Sequence, residues 1–453
     1  MVRRREISPV ELVETALSRI ELLDSRLGSM VTVDAEGALE AASAAADRAG
    51  AEDAAPFLGV PTAIKDLHVT DGMRTTFGTA SMAEFVPNYD EWSVGRLRSA
   101  GFILLGKTNV SEFGTVPYTE SALLGPARNP WDLDRSPGGS SGGAGAAVAA
   151  GLIPVAHASD GGGSVRIPAS ACGLFGIKPA RGRISNAPQY GEQVGGLSTV
   201  GLITRDVGDA AAMLDEMHGY VAGDPNWASP PDRPFAKDAR GDPPALRVGL
   251  ALSSPLHTFG AESLDVARET AELLTGLGHV VEPIDLPVTE QLISDFRTLW
   301  TARVSALPVD PDGLEPYNRF LFEEGASYTA PDLLKALTSA QLLARAIVRA
   351  ALSVDVVACP TLTRDPLRIG ELEGLDHDAT FAANIDYVGL TPLANLTGQP
   401  AMSVPLGTSE RGLPVGMQFI GPPDGESTLL RLAGQLERAT PWAARRPALN
   451  PRR

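Results

Sequence analysis

Three observations predict an α/β fold in a single domain over residues 1–453. Short apolar runs typical of strands alternate with helical patterns along the chain. The alternation resumes after its one long interruption, Gly223–Ala245, where six prolines stand among Asp, Arg and Gly. No internal repeat is present. Although a chain of this length often forms two or three domains, the proline-rich stretch is therefore interpreted as a loop rather than as a domain boundary.

The elements before this loop follow from local patterns. Apolar residues at helical spacing, with Ser8 as N-cap and Pro9 at the first helical position, predict a helix over Pro9–Leu23. An alanine-rich helix is predicted at Ala35–Arg48. Apolar runs predict three buried strands: LGVPTAIKD up to Lys65, GFILLGKT at Gly101–Thr108 and IPVAHAS at Ile153–Ser159. A helix of small residues is predicted at Gly142–Gly151, between the second and third strands.

The same alternation continues after the loop. Strands are predicted at LRVGLAL, HVVEPIDL and VDVVACP, and helices at Glu262–Leu277 and Leu333–Leu352. The predicted domain thus has N-terminal helices in residues 1–55, a catalytic core in 56–206, the proline-rich loop in 223–245, and a second α/β portion in 246–453 that completes the sheet and the substrate pocket.

Composition excludes several classes of function. A formal net charge of −17 argues against nucleic acid or an anionic membrane as a partner, because phosphate is bound by basic surfaces. No window is long and apolar enough for a membrane-spanning helix, and the arginines of MVRRREISPVEL precede no apolar stretch of the kind export signals carry. The two cysteines, Cys172 and Cys359, are too few for a disulfide framework and have no metal-ligand spacing. We expect a cytoplasmic protein with no metal and no cofactor.

Two short segments match the residue spacing of known catalytic motifs, but neither has the neighbouring structure that its motif requires. GFILLGKT fits the phosphate-binding loop pattern, but its central residues form an apolar strand where a flexible loop is needed, and we place Lys107 in the turn after that strand. GGSSG fits the nucleophile elbow, but NPWDLDRSP before it is no apolar strand. A Ser-His-Asp triad would also need a catalytic histidine, and several of the six histidines stand in apolar settings where a packed structural histidine is commoner.

Glycine and serine instead concentrate in two segments. SPGGSSGGAGAAVAAG places Ser140 and Ser141 at the start of the small-residue helix, where backbone N–H groups and the helix dipole favour negative charge. SDGGGSVRIP places Ser164 directly after three glycines, whose N–H groups can converge on one point as an oxyanion hole requires. On these residues alone, two glycine-rich turns lined with solvated serines remain the alternative.

The residue pattern of these two segments resembles that of the amidase signature family. GGSSGG is followed, 24 residues after Ser140, by Ser164 in DGGGS-x-R-x-P, and Lys65 stands 75 residues before Ser140. The similarity continues through CGLFGIKPARGRIS, PLANLTGQPAMSVPLG and GLPVGMQFIGP, from Glu6 to about Arg438. The resemblance implies one α/β domain around a mixed sheet with helices on both faces. It also implies hydrolysis of amide C–N bonds by a Ser–cis-Ser–Lys triad.

The resemblance also implies a role for each matching residue. Ser164 matches the nucleophile, Ser140 the bridging serine after a cis peptide bond from Gly139, and Lys65 the base. The remaining matches are supporting groups: the backbone N–H groups of Gly161, Gly162, Gly163 and Ser164 as the oxyanion hole, Ser141 as a supporting hydroxyl, and Asp160 with Arg166 as a structural pair.

Elementary chemistry agrees with these roles. A serine hydroxyl is a poor nucleophile until a base takes its proton. Lysine can be that base only when neutral, and burial in an apolar strand lowers its pKa, by up to about 3–5 units when burial is complete. Ser140 can accept one proton and donate another, and so relay between Ser164 and Lys65.

Two departures from the family pattern bear on function. Gly161 stands where the family commonly has threonine, which predicts a more permissive oxyanion hole. Ile167 follows Arg166 where the ammonia-releasing subunit of tRNA-dependent amidotransferases has glutamine, which argues against that role. That subunit, acting with partner subunits on glutamine, remains the alternative enzyme, and a non-catalytic scaffold is the alternative of another class. The intact Lys65, Ser140 and Ser164 argue against a scaffold.

Substrate preference is predicted from the segment HASDGGGSVRIPASACGLFGIKPARGR. It is most similar to that of amidases resembling 6-aminohexanoate cyclic-dimer hydrolases, aryl acylamidases and urethane-cleaving enzymes, which act on fairly apolar amides or carbamates. We therefore expect a small-molecule amide or carbamate substrate and a monomer or homodimer. Each candidate for the pocket wall also fits an ordinary core position: Met73, Tyr118, Trp300, Phe381, Ile385 and Tyr387.

Overall fold

The computed structural model describes residues 1–449, whose strands form two β-sheets. The strands are β1 (Met30–Val33), β2 (Pro61–Lys65), β3 (Ile103–Thr108), β4 (Val155–Asp160), β5 (Phe175–Lys178), β6 (Thr199–Thr204), β7 (Arg247–Leu250), β8 (Val280–Pro283), β9 (Val356–Pro360), β10 (Ala401–Thr408) and β11 (Pro414–Ile420). The helices are α1 (Pro9–Leu27), α2 (Ala35–Asp47), α3 (Trp92–Ser99), α4 (Gly142–Ala149), α5 (Arg166–Cys172), α6 (Val207–Met217), α7 (Phe235–Asp238), α8 (Ala261–Gly276), α9 (Glu290–Ser305), α10 (Pro316–Ser327), α11 (Ala330–Ala351), α12 (His377–Val388), α13 (Pro392–Thr397) and α14 (Glu426–Ala439).

The larger sheet is mixed, as predicted. Its eight strands lie in the order β4-β6-β5-β10-β11-β9-β7-β8. The strands from β4 to β9 pair antiparallel, and β9, β7 and β8 pair parallel. The smaller sheet, in the order β1-β3-β2, lies beside β4, since the Thr62 hydroxyl in β2 donates to the Val155 carbonyl at 3.0 Å. This neighbourhood brings the end of β2 next to the end of β4.

Helices cover both faces of the large sheet, which confirms the predicted architecture. Side chains alternate across a strand, so in β6 Leu202 points to one apolar cluster and Ile203 to another. The first cluster is closed by α3, α6, α7, α8 and α14, and the second by α1, α2, α4 and α5. A third cluster joins α9–α13 to the sheet beside the glycine-rich segment at residues 161–163.

The predicted helices and strands are present with small shifts at their ends. α1 begins at Pro9 with a capping box from Ser8 and Glu11, and it runs one turn past the predicted end because Gly28 supplies the left-handed conformation that stops it. α11 begins three residues before the predicted Leu333, since Thr329 and Asp332 form a second capping box. The caps, rather than the apolar pattern, decide these boundaries.

Two predictions about segments are corrected. The proline-rich loop contains the short helix α7, whose Phe235 is 1% exposed and packs into the first cluster, so this stretch is anchored to the domain. Lys107 lies within β3 rather than in the turn after it. Its ammonium is buried and donates to the His68 carbonyl and to the hydroxyls of Thr70 and Thr75, which leaves no phosphate-binding loop here.

None of the helices within residues 1–449 is long and apolar enough to cross a membrane.

Candidate active site

Three side chains from separate segments form one continuous hydrogen-bonded row. Lys65 ends β2, Ser140 precedes α4, and Ser164 lies between β4 and α5. Lys65 Nζ lies 2.9 Å from Ser140 Oγ, and Ser140 Oγ lies 3.1 Å from Ser164 Oγ. The peptide bond between Gly139 and Ser140 is cis, as predicted. The structure therefore brings together the three residues that the sequence singled out.

Burial sets the charge state of the amine in this row. Lys65 is 1% exposed. Loss of hydration lowers the pKa of the Lys65 amine from 10.5 to about 7, although the nearby Asp160 carboxylate acts in the opposite direction. The amine also donates to the Ser159 carbonyl at 3.1 Å, which orients it toward Ser140. Lys65 can therefore be neutral, and accept a proton, near pH 7.

The bridging serine is tightly enclosed. Ser141 Oγ donates to the Ser159 carbonyl at 3.1 Å, so the same carbonyl aligns both Ser141 and Lys65. On the other side, Gly114 has φ +70°, and a Cβ there would lie 2.9 Å from Ser140 Oγ. A glycine is needed at this position for both reasons.

A buried ion pair holds the glycine-rich segment in place. Arg166 Nε and Nη2 donate to the two Asp160 oxygens at 2.9 and 2.7 Å, and both side chains are fully buried. Burial by itself would raise the pKa of the Asp160 carboxyl, but Arg166, together with Lys178 and the hydrogen bond from Asn395, keeps it far below its usual range. Asn395 donates to Asp160 at 2.9 Å and accepts from Arg166 at 2.7 Å. The predicted structural pair is present and tied to α13.

The backbone N–H groups beside Ser164 are of two kinds. The Gly163 N–H donates to Asp160 Oδ1 at 2.7 Å, so it is engaged and is not a free donor for an oxyanion. The N–H groups of Gly161, Gly162 and Ser164 find no acceptor within residues 1–449. The predicted set of four donors is thereby corrected to three, because the carboxylate that fixes the loop occupies the fourth.

Two aromatic rings of α9 lie against the glycine-rich segment that supplies the oxyanion donors. A Cβ at Gly161 would lie 3.2 Å from two atoms of the Trp300 ring, and one at Gly162 would lie 3.4 Å from Phe296. These two rings of α9 stack at 5.2 Å, and the Trp300 indole donates to the Thr115 carbonyl at 3.2 Å. A side chain at position 161 would therefore contact the indole, and the more permissive hole stays a prediction.

This contact leads to a prediction about Gly161. A Gly161→Ala substitution should lower kcat/KM about tenfold on an apolar amide, a barrier increase of about 1.4 kcal/mol, because the new methyl group displaces Trp300 or the loop. The double variant Gly161→Ala/Trp300→Leu should raise the activation free energy, calculated from kcat/KM, by less than the sum of the two single changes, as expected for residues in contact. Gly276→Ala is the matched control, since a Cβ there has no neighbour within 4 Å. Additive losses in steady-state kinetics would contradict the proposed contact.

A cavity of about 140 Å³ opens onto the catalytic row, and a smaller one of about 50 Å³ adjoins Ser164. Trp300 lines both, and Phe381 and Ile385 line the smaller one, as predicted. The larger cavity has mostly apolar walls, contributed by Leu67, Phe77, Met82, Phe113, Val194, Val304, Leu307, Pro308 and Val309. The arrangement suits an apolar group next to the reacting carbonyl.

The other three predicted wall residues lie elsewhere. Met73 is 4% exposed in the cluster under α3 and α6. Tyr387 is fully buried, and Tyr118 packs with it in a small cluster around Ile167. None of these three side chains lines either cavity, although the neighbours Pro117 and Val388 line the smaller one, so these predictions are wrong.

Sequence reasoning missed most of the cavity wall. Trp300, Arg303, Val304 and Leu307 share one face of α9 and the turn after it, at the spacing i, i+3, i+4 and i+7. That periodicity is visible in the sequence, but no glycine or serine motif marks it as part of a site. The polar wall residues Tyr190, Gln193 and Ser198 come from the segment before β6, which has no strong pattern.

The histidines take no part in this arrangement. His68 Nδ1 lies 2.7 Å from Glu91, and His157 Nε2 lies 3.0 Å from the Ser93 hydroxyl. Burial lowers the pKa of His157 well below its usual value, so this ring is neutral. Within residues 1–449, no histidine contacts Ser164. The interpretation of these residues as structural agrees with the geometry.

The fold and the row of side chains define a class of hydrolase, and comparison with known proteins agrees. The Amidase family model matches residues 11–430, and the chain belongs to this family, the amidase signature hydrolases of amide C–N bonds. It is 37% identical over 485 residues to 6-aminohexanoate-cyclic-dimer hydrolase of Pseudomonas sp. (strain NK87), covering 100% of this chain and 96% of the relative. It is also 37% identical over 484 residues to the A subunit of glutamyl-tRNA(Gln) amidotransferase from Moorella thermoacetica, covering 99% and 97%.

Solved structures give the same result. A 6-aminohexanoate cyclic dimer hydrolase superimposes with a TM-score of 0.92 at 35% identity, covering 99% of this chain and 96% of that one. A bacterial aryl acylamidase of the amidase signature family superimposes with a TM-score of 0.88 at 28% identity, covering 98% and 95%. The sequence resemblance to this family and the predicted mixed α/β domain are confirmed.

Proposed function

We propose that this protein hydrolyses the C–N bond of fairly apolar small-molecule amides or carbamates through an acyl-enzyme on Ser164. The observation that supports this best is the continuous row from Lys65 through Ser140 to Ser164, at the edge of a cavity with apolar walls. The similarity to a 6-aminohexanoate-cyclic-dimer hydrolase and to an aryl acylamidase supports the same substrate class.

Acylation uses the row as a proton relay. A hydroxyl hydrogen can rotate, so Ser140 can accept from Ser164 and donate to neutral Lys65. Ser164 Oγ attacks the carbonyl carbon, its proton passes to Ser140 Oγ, and the Ser140 proton passes to Lys65 Nζ. The negative charge on the former carbonyl oxygen is stabilised by the N–H groups of Gly161, Gly162 and Ser164, which have no acceptor among the described residues.

The leaving amine then takes a proton back along the row. Lys65 returns a proton through Ser140 to the amine nitrogen as the C–N bond breaks, which leaves the acyl group on Ser164. In the second half of the reaction, water takes the place of Ser164 as the nucleophile. It loses a proton to the row as it attacks the ester, and Ser164 regains a proton as the acid departs. Lys65 is neutral at the start and end of each half, so no other base is required.

The alternative enzyme, a glutamine-hydrolysing amidotransferase subunit, has one observation in its favour, the 37% identity to such a subunit. Ile167, buried where that subunit has glutamine, argues against this alternative. We also propose a monomer or homodimer in the cytoplasm that needs no partner subunit, cofactor or metal for turnover.

A substrate panel tests the proposal. The purified chain is assayed with 4-nitroacetanilide, a linear aminohexanoate oligomer, an aryl carbamate and glutamine, with Ser164→Ala as the blank. We expect the enzyme to hydrolyse at least one of the first three compounds. The highest kcat/KM of the panel should belong to one of these three. Turnover of glutamine alone would favour the amidotransferase subunit. No turnover of any compound, with no acylation by an activated aryl ester, would favour the scaffold.

A further inference from the structure

We propose that Arg303 binds a carboxylate carried by the substrate away from its scissile bond, so that the preferred substrates are amides with an acidic end. This inference rests on the amide hydrolysis proposed above and names the substrate class more narrowly. It would make the enzyme selective for monoamides of dicarboxylic acids or for N-acyl amino acids over neutral amides of equal size.

Arg303 is placed to contact a substrate bound at Ser164. It lines the same cavity as Lys65, Ser140 and Ser164. It follows Trp300 by three residues on α9, which is ~4.5 Å along the helix axis, and Trp300 touches the glycine-rich segment. A substrate that extends from the oxyanion region along this face of α9 therefore meets the guanidinium next.

The guanidinium is without an acidic partner, although the chain carries a net charge of −17. No carboxylate pairs with Arg303 among residues 1–449, and no Asp or Glu lines either cavity. Arg297, six residues earlier on α9, differs in this respect, since it pairs with Glu324 at 2.7 Å and Asp378 at 2.6 Å. An arginine without a carboxylate partner therefore stands in the wall of the cavity that holds Ser164.

Burial makes an unpaired cation here unfavourable until an anion arrives. Arg303 is half-buried, and loss of hydration lowers the pKa of its guanidinium. Arginine stays charged in proteins and offers a planar fork that matches a carboxylate. A position near the C-terminal end of α9 also favours a cation, typically by about 0.3–1 kcal/mol. That effect accounts for a basic residue in the last turn, but not for its place in the wall of the cavity.

Matched substrates and variants test this inference. One series consists of 4-nitroanilides of succinic, glutaric and adipic acids, and a second of N-benzoyl ω-amino acids of increasing chain length. Each is compared with the neutral compound in which a methyl ketone replaces the carboxylate. The variants are Arg303→Gln and, as a control with the same change in net charge, Arg345→Gln on the exposed side of α11.

We expect the wild type to prefer the acidic member of at least one series, and Arg303→Gln to lose tenfold or more in kcat/KM on that compound, mainly through KM. The acidic-to-neutral ratio of kcat/KM should therefore fall about tenfold or more in this variant, whereas Arg345→Gln should keep the wild-type ratio. An unchanged acidic-to-neutral ratio in Arg303→Gln, or no acidic preference in the wild type, would overturn the inference and leave amide hydrolysis intact. If neither member of any pair is cleaved by the wild type, the proposed function itself fails.

Discussion

Replacing Ser164 with alanine should lower kcat on every amide substrate by about 10³-fold or more, with little change in the free energy of unfolding. The loss is large because catalytic residues that act as a unit fail together when the nucleophile is removed. Only a hydroxyl is lost, and its one hydrogen bond within residues 1–449 is with the Ser140 hydroxyl. Initial rates measured alongside thermal melting separate catalysis from folding.

The matched control is Ser43→Ala. Ser43 lies on the exposed face of α2, and its hydroxyl donates to the Leu39 carbonyl of the same helix. It should match the wild type in both measurements. A Ser164→Ala variant that melts normally and retains activity within about tenfold of the wild type, a barrier change of only about 1.4 kcal/mol, would exclude Ser164 as the nucleophile. Intact-mass spectrometry of the wild type with an activated ester should also show acyl transfer to Ser164.

Replacing Lys65 with arginine should abolish most activity although the charge is kept. A guanidinium cannot lose its proton in a protein, so the variant has no base, and general base catalysis typically contributes about 10²–10⁴-fold. Lys65→Ala should fail for the same reason. Added methylamine should partly restore the alanine variant, at a rate proportional to the concentration of neutral amine, because the lost side chain leaves a space next to Ser140.

The wild type should also show a characteristic pH dependence. Neutral Lys65 is the active form, and burial lowers its pKa to about 7, so kcat/KM should rise tenfold per pH unit below that value and level off above it. Asp160 remains ionised throughout this range because Arg166 keeps its pKa low. Lys178 has a pKa lowered to about 7 as well, but its amine donates to the Pro179 carbonyl and lies outside the row. Activity in Lys65→Arg close to that of the wild type would mean that Lys65 is a structural cation.

The sequence predicts the chemistry of this protein better than its substrate cavity, for a physical reason. The glycines beside Ser140 and Ser164 leave no room for a Cβ: one at Gly139 would overlap the Tyr118 carbonyl oxygen, and one at Gly163 would overlap the Thr391 hydroxyl. Such constraints leave a local pattern of residues. The cavity wall needs only apolar side chains of suitable size, which are also what a core needs. Met73 and Tyr387 satisfied that description and are core residues, whereas Leu307 and Val309 satisfied it equally and line the cavity.

The sequence predicts the elements that have strong apolar periodicity, but not the elements whose presence depends on tertiary contacts. The helices α1 and α11 follow from apolar spacing, and Ser8 gives the start of α1. The end of α1 and the start of α11 follow from the caps at Gly28 and Thr329, which the apolar spacing does not show. The short helix α7 could not be inferred from a stretch dominated by prolines, because it is held by Asp215, which accepts from the N–H groups of Phe235 and Ala236. Neither that contact nor the engagement of Gly163 by Asp160 leaves a periodic pattern in the sequence.

The row of Lys65, Ser140 and Ser164 and the helix that faces it come from separate stretches of chain. The catalytic side chains end at residue 164, whereas α9, α10 and α12 occupy residues 290–388. Mutations in the later stretch can therefore alter what the enzyme accepts while the bond-breaking groups are inherited unchanged, which is how one fold comes to serve many substrates. The contact between Gly161 and Trp300 is where the two stretches constrain each other. A lineage that acquires a larger residue at 161 must give up the indole at 300, so these two positions should change together during the divergence of such enzymes.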